Sequence, residues 1–416
     1  MPIPSLPLEI VDLVLSHLGS DLDELTRREH GITLALVCRA WKPLAEQMMV
    51  RDLELLPGDD NGYIRHLLGR PEILRHCRRL EVLQYGREAG EAQGEGALHA
   101  ISRDDGPLYV DLVRLATLVE SLTLPATPPR LDLLARVANA PMAATLRQLE
   151  VGILNFHHFD THKMVNSLLC FRGLDELSVR VGYLGREMVG YQGPAVASRL
   201  PVSRFGLHIF AEVITGLHSG LARSFHSVLE PTTLKRCDLD EWTGDRGFLD
   251  CLPQYPNLEC LTITTLGAEG IAIRLETLCE VLPRLLALAS LTIMTSSVID
   301  LPPLAEHVSP ISCFDFLASL PTSFKRGLLA GVFFEHDSKV PPCDVPCRTE
   351  FTESSPTLLG FMVDGRNEED GSAVVVREEF ACITDQDGAQ QWRLLETVRN
   401  QSPSSPEKVS PISVFC

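Results

Sequence analysis

The chain has 416 residues, room for two or three ordinary domains or for one elongated repeat domain with small additions. Its formal net charge is -18, from 55 acidic and 37 basic residues. That balance argues against a nucleic-acid binder, which needs a basic face to displace counterions from phosphates. The chain is 45% hydrophobic but only 6% aromatic, a leucine-dominated bias that suits many similar stacked layers better than one large varied core.

Twelve cysteines are scattered singly, with no CxxC pair. Many sit in leucine-rich stretches, where a free thiol behaves as a small buried hydrophobe, so a reducing compartment is expected. The first 20 residues carry Glu9, Asp12 and prolines in place of a basic stretch and a pure apolar run, and Leu285 to Met294 is too short to cross a bilayer. An intracellular location, cytoplasmic and/or nuclear, with no membrane partner, is the expectation.

Residues 6–18 read LPLEIVDLVLSHL. Pro7 suits a first helical turn, where its missing N–H costs nothing, and Glu9 suits the positive end of the helix dipole. Ile10, Val14 and His17 form one stripe, and Val11, Leu15 and Leu18 the next, so the helix is apolar over a wide arc. Over residues 32–48, Leu34, Val37, Cys38, Trp41, Leu44, Ala45 and Met48 follow helical spacing, with Pro43 kinking or restarting the helix. Periodicity alone leaves two readings, a three-helix cap over the end of a core or a docking face for a second chain.

LPLEI near the start, followed by ALVCRAW and Leu44, resembles the F-box. That pattern opens on Leu-Pro-x-Glu-Ile/Leu, continues as a hydrophobic helix and closes on Val-Cys-Lys/Arg-x-Trp. The matching positions are Leu6, Pro7, Glu9, Ile10, Leu18, Val37, Cys38, Arg39 and Trp41, all inside residues 1–49. The stretch Gly19 to Ile32, with its charged run Thr26 to His30, is longer than usual between the two halves and is expected as a surface loop. The resemblance implies binding to a Skp-family adaptor and, through it, to a cullin–RING ubiquitin ligase, while the rest of the chain captures a protein substrate. It places the adaptor contacts at Leu6, Pro7, Ile10, Val14, Leu18, Val37, Cys38, Trp41 and Leu44.

The middle of the chain repeats an apolar-x-x-apolar-x-apolar run. It starts at Val119, Leu146, Leu174, Val202, Leu234, Leu258 and Leu288, with spacings of 27, 28, 28, 32, 24 and 30 residues. Earlier copies start at Val50 and Cys77, before the glycine-rich stretch Gly86 to Gly96 interrupts the array. Such a period falls in the leucine-rich repeat range, each unit supplying one short strand and one helix. Helix-like segments at Leu131 to Val137, His162 to Phe171, Leu221 to Leu229 and Leu275 to Leu282 fill the intervals. Chance recurrence in a leucine-rich helical protein is the alternative. The usual Asn/Cys-x-Leu ending is mostly absent, so the array is degenerate.

Because strand side chains alternate, the residues between the apolar ones should face an open, concave surface. These are Glu150, Glu176, Ser178, Arg180, Arg204 and His208, then Asp238, Asp240, Thr262, Thr264, Ser290 and Thr292. Mixed charges and hydroxyls suit a protein partner more than a small-molecule pocket. Trp242 is read either as a binding anchor or as a side chain packed on the next repeat.

Beyond about Pro310 the period fades. Phe361 to Asp364, Ala373 to Thr384 and Gln391 to Thr397 read as strands, with a turn at Asp385 to Gly388. The Ser- and Pro-rich end reads as a disordered tail, in which Ser402, Ser405 and Ser410 each precede proline.

No nucleotide-loop, dinucleotide-fingerprint, zinc-protease or nucleophile-elbow motif occurs. His157, His158 and His162 with Asp160, and Cys343 and Cys347 with His336, do not complete a metal-ligand pattern. We therefore expect no enzyme and no cofactor. The expected fold is an α/β solenoid: a three-helix F-box over 1–49, an irregular leucine-rich repeat array over 50–320, a capping region with short strands over 321–400 and a disordered tail over 401–416. The expected function is substrate recognition for a Skp–cullin–F-box ligase. The alternative is a non-catalytic repeat scaffold whose N-terminal helices only cap the solenoid.

Overall fold

A strand begins two residues into every apolar-x-x-apolar-x-apolar run. In the first of two compact units, residues 1–234, the strands are β1 (Asp52–Leu55), β2 (Arg79–Val82), β3 (Ser121–Leu124), β4 (Gln148–Ile153), β5 (Glu176–Val181) and β6 (Arg204–Ile209). In the second, residues 235–416, they are β7 (Arg236–Asp240), β8 (Cys260–Leu266), β9 (Ser290–Ser296), β10 (Arg326–Ala330), β11 (Thr357–Arg366), β12 (Ala373–Thr384) and β13 (Gln390–Gln401). The computed structural model describes residues 10, 13, 24–37, 39, 41–55, 60–82, 106–124, 133–153, 161–181, 199–209, 224–240, 249–266, 275–296, 313–330, 357–366, 373–384 and 390–401.

Strands β1 to β6 form a parallel sheet in chain order. Its register places equivalent repeat positions side by side: Leu53 opposite Leu80, Leu80 opposite Leu122, Leu122 opposite Leu149, Leu149 opposite Leu177, and Leu177 opposite Phe205. All six are buried, as are Leu55, Val82, Leu124, Val151, Val179 and Leu207 two residues on. So are the residues that open each run: Val50, Cys77, Val119, Leu146, Leu174 and Val202. Each such side chain contributes about 1.5–3 kcal/mol relative to an exposed one.

Parallel neighbours need a crossover, and helices supply it. Helices α1 (Glu24–Val37) and α2 (Lys42–Arg51) precede β1. Crossover helices include α3 (Asn61–Leu68), α4 (Pro71–Leu74), α5 (Gly106–Leu115), α6 (Leu133–Ala138) and α7 (Thr161–Leu168) in the first unit, with α8 (Leu275–Val281) and α9 (Cys313–Ser319) in the second. Helix α3 packs on α5, α5 on α6 and α6 on α7, so the helices advance alongside the sheet. The architecture is α/β with an open parallel sheet.

Polar bonds repeat with the same period. The carbonyl of Arg78 accepts from Glu120 N at 2.7 Å and Ser121 N at 3.0 Å, and that of Glu120 accepts from Arg147 N at 2.7 Å and Gln148 N at 2.9 Å. A hydroxyl three residues ahead of some strands ties successive repeats together. Thr145 Oγ1 donates to the Val119 carbonyl at 3.0 Å and Thr233 Oγ1 to that of Val202 at 3.1 Å. In the second unit Ser323 Oγ does the same to Leu288 at 2.8 Å.

In the second unit β7 to β11 are mutually parallel, and β11, β12 and β13 form an antiparallel meander. The meander extends the sheet from β10 with strands of 10, 12 and 12 residues, longer than the short capping strands expected. The repeat also runs past residue 320. Helix α9 and β10 form a further unit in which Gly327 pairs with Leu291, at the position that elsewhere carries the first buried strand residue. That glycine is why the pattern fades.

Two other expectations change. The stretch Gly19 to Ile32 is not a loop throughout, since α1 begins at Glu24. The charged run Thr26 to His30 therefore lies on a helix. The glycine-rich stretch Gly86 to Gly96, itself outside the described residues, does not break the array: Arg79 pairs directly with Ser121 across it. The turn at Asp385 to Gly388 and the tail beyond Gln401 lie outside the described residues, as does Trp242.

The alternation along β5 gives a direct test. Leu177→Ala should destabilise the chain by about 2–5 kcal/mol in urea unfolding, whereas Ser178→Ala beside it should change stability by no more than about 0.5 kcal/mol. Equal effects would contradict this register.

Candidate functional site

The first candidate surface lies on the N-terminal helices. Helix α1 ends at Val37 and the chain restarts as α2, with Trp41 at its N-cap and Pro43 in its first turn, where proline lacks no needed bond. Leu34, Trp41 and Leu44 pack around buried Met48. Gly31 is buried, and a Cβ there would overlap Met49 Cγ, so glycine permits the close approach of the two helices.

Two residues of the expected adaptor surface take part in this packing. Trp41 and Leu44 are half-buried in the seam between α1 and α2. The unbroken helical stripe that drew attention to them is the stripe a helix pair uses to hold itself together. The outward apolar residues lie off that stripe: Ile32 is 57% exposed and Leu36, one turn on, 82%. Ile10, 44% exposed, and Leu13, 57% exposed, are also helical. Ile10 was expected at the surface. Leu13, Ile32 and Leu36 were missed, although Ile32 and Leu36 stand at i, i+4 among Glu29, His30 and Thr33, all three of them exposed. Leu6, Pro7, Val14, Leu18 and Cys38 lie outside the described residues, and Val37 is placed only as the last residue of α1.

Behind this surface, Arg70 Nη1 and Nη2 donate to the two oxygens of Glu46 at 2.7 and 3.1 Å, joining α2 to the turn before α4. Arg70 Nε also donates to Glu72 at 3.4 Å, and Lys42 Nζ lies 3.9 Å from Glu46. The Arg70 hydrogen bonds hold the Glu46 carboxyl below its ordinary value of 4.5, against a smaller opposing effect of burial.

The second candidate surface is the unburied side of the strands. In the first unit Gln148, Glu176 and Arg204 stand in one row, Glu150, Ser178 and Gly206 in the next, then Gly152, Arg180 and His208. Arg180 pairs with Glu150, Arg204 Nη1 lies 3.5 Å from Glu176 Oε2, and Gln148 Nε2 donates to the same oxygen at 3.4 Å. The expected residues Glu150, Glu176, Ser178, Arg180, Arg204 and His208 therefore do come together, as a compensated network. Gly206 leaves a bare position between Ser178 and His208: a Cβ there would come 3.3 Å from Ser178 Oγ and 3.1 Å from His208 Nε2.

In the second unit Arg236 Nε donates to both oxygens of Asp238, at 3.1 and 2.9 Å. Asp238, Thr262 and Thr292 share a row, and Thr264 stands opposite Met294. Ser290 is 8% exposed and does not belong to an open surface; Cys260 and Arg326 flank it in register. Asp240 closes β7, with its side chain outside the described part. Sequence reasoning passed over the outward residues Asp52, Glu54, Arg79 and Glu81 of β1 and β2, although the same alternation marks them.

The basic run Arg75 to Arg79 is partly neutralised. Arg78 Nη1 lies 3.3 Å from Glu120 and Arg79 Nη2 lies 3.1 Å from Glu81. Desolvation, reinforced by Arg75 and Arg78, pushes the His76 pKa down. Burial, with a contribution from Asp238, raises the Cys237 thiol well above its usual range, which keeps it protonated and un-nucleophilic. Among the described residues no group of three or more His, Cys, Asp or Glu could hold a metal ion. His157, His158, Asp160, His336, Cys343 and Cys347 lie outside them, and His162 is placed only as part of α7. No described helix is long and apolar enough to cross a membrane.

Glu46 has a lowered folded-state pKa, so its stabilisation is present above the unfolded value and is lost as pH falls through the folded one. Glu46→Gln should therefore reduce the loss of stability on acidification from pH 4.5 downward, measured by urea unfolding at stepped pH. An acid limb identical to that of the parent would contradict the pairing. Compared with models of known protein families the chain matches none, and a comparison with curated proteins returns no match either.

Proposed function

We propose that this chain is the substrate-recognition subunit of a Skp–cullin–F-box ubiquitin ligase. In this reading its N-terminal helices are an F-box that docks a Skp-family adaptor, and its repeats are a leucine-rich repeat solenoid whose outward strand face holds a protein substrate. The observation that carries the reading is the outward apolar set Ile10, Leu13, Ile32 and Leu36. Single exposed leucines are ordinary, but Ile32 and Leu36 stack one turn apart on a helix whose opposite face is already satisfied by α2. Apolar surface left over after a helix pair has formed its own seam is what a partner chain needs. The N-terminal match to the F-box pattern names the kind of partner, an intracellular one.

The proposed role requires no cofactor and no catalytic group in this chain, because the associated ligase performs ubiquitin transfer. The compensated network on β4 to β6 suits a polar protein surface, since its charges are already held in place and bind without much reordering.

A scaffold reading has its own support. Ala45, Met48 and Val50 of α2 are buried, and α1 and α2 both touch β1, so the helices do cover that edge of the sheet. The two roles use opposite faces of the helix pair, and substitutions on the outer face alone separate them. Deleting residues 1–48 would instead remove part of the core.

With purified adaptor in a calorimetric titration, the intact chain should bind. Ile32→Asp and Leu36→Asp should each weaken binding at least about tenfold, equivalent to ~1.4 kcal/mol, while stability changes by no more than about 0.5 kcal/mol. A folded chain that binds no adaptor, or variants that bind like the parent, would leave the scaffold.

A further inference from the structure

We infer that Arg70 is a positioning residue, which fixes the angle at which the N-terminal helix pair stands on the strand array and so the placement of the docking face relative to the substrate face. The functional part of this statement rests on the ligase reading, and the geometric part does not.

Three observations meet at this residue. First, α2 ends at Arg51 and β1 begins at Asp52, so helix and strand join without a linker. Second, the apolar contacts within the helix pair are made largely by methionine: Met48 is the buried centre around which Leu34, Trp41 and Leu44 pack, and Met49 fills the space against Gly31. Methionine side chains are unbranched and adaptable, so they bury surface well but tolerate a rolled helix. Packing of this kind holds α1 and α2 together while leaving α2, which carries Glu46, some freedom to roll.

Third, the Glu46–Arg70 contact is planar and two-pronged, which a rolling helix would break. Its support is stiff. Arg70 precedes Pro71, whose ring excludes helical backbone at Arg70, and it stands at φ -136° and ψ 62°. Its N–H donates to Leu67 O at 2.9 Å, and its carbonyl accepts from Ile73 N at 3.0 Å. Glu72 holds the third guanidinium edge. The Glu46 side chain is 15% exposed, so its carboxylate has little water to replace the fork. Lysine would keep the charge and lose the plane.

The test uses the full chain, with spin labels introduced through a ketone-bearing unnatural amino acid at Thr33 and Gln148, both exposed, the first on α1 and the second on β4. Pulsed dipolar spectroscopy then reads the spread of distances between them. Arg70→Lys should about double the width of that distribution, since a point charge satisfies Glu46 from many angles. Arg70→Leu should widen it at least as much, and the exchange of both partners, Glu46→Arg with Arg70→Glu, should restore most of the narrowness. If Arg70→Leu fails to fold, Arg70→Lys carries the comparison. Unchanged widths in a folded Arg70→Lys chain would overturn the inference.

Adaptor affinity and ubiquitin transfer to a bound client are measured on the same variants. Arg70→Lys should leave the adaptor Kd as in the parent and slow transfer, a split that simple destabilisation would not produce. Unchanged transfer alongside a widened distribution would overturn the functional part. A parent chain that binds no adaptor would overturn the ligase reading, and the positioning role of Arg70 would then stand or fall on the distance distributions.

Discussion

A strand of four residues, such as β1, β2 or β3, offers two apolar side chains to one side and cannot hold a fold by itself. It becomes stable when the same two positions of the next repeat stand beside it. That is the arrangement from Leu53 through Leu80, Leu122, Leu149 and Leu177 to Phe205, where Phe205 also meets the Phe225 ring at 5.4 Å. The in-register apolar ladder is the constraint on which the rest depends. It dictates that one side of each strand is buried, and it hands the other side to whatever the sequence places there.

Freedom on the outer side is where the units differ. Strands β4 to β6 carry paired charges, while β8 and β9 present Thr262, Thr264, Thr292 and Met294. At the N-terminal edge the ladder ends at β1, and α1 and α2 rest against it. Covering that edge consumes one face of the helix pair. The opposite face, with exposed Ile32 and Leu36, is left as apolar surface, so one short module can finish the core and keep a face free.

Much of this was legible in the sequence because the ladder repeats: nine runs mark nine strands, and the offset from run to strand never varies. The tenth repeat escaped because Gly327 lacks the side chain that the pattern requires, although β10 still pairs in register with β9 from Arg326 to Ala330. The meander strands were found by alternation, β12 to the residue, and the others shorter than they are. The candidate site was less legible. Helical spacing detects the stripe that packs, so it led to Trp41 and Leu44, which face Met48, and away from Leu36, which faces outward. No local pattern announced Arg70, because its partner Glu46 lies 24 residues away in the chain. Pairings between elements follow from the fold, and a single sequence does not display them.

The most direct measurement is amide hydrogen exchange of the full chain, free and with saturating Skp-family adaptor. The account predicts that adaptor slows exchange around Ile10 and Leu13 and across α1, while strands β3 to β6 exchange as in the free chain. Protection confined to the strands, or no protection anywhere under conditions where the adaptor is shown to be folded and in excess, would contradict it.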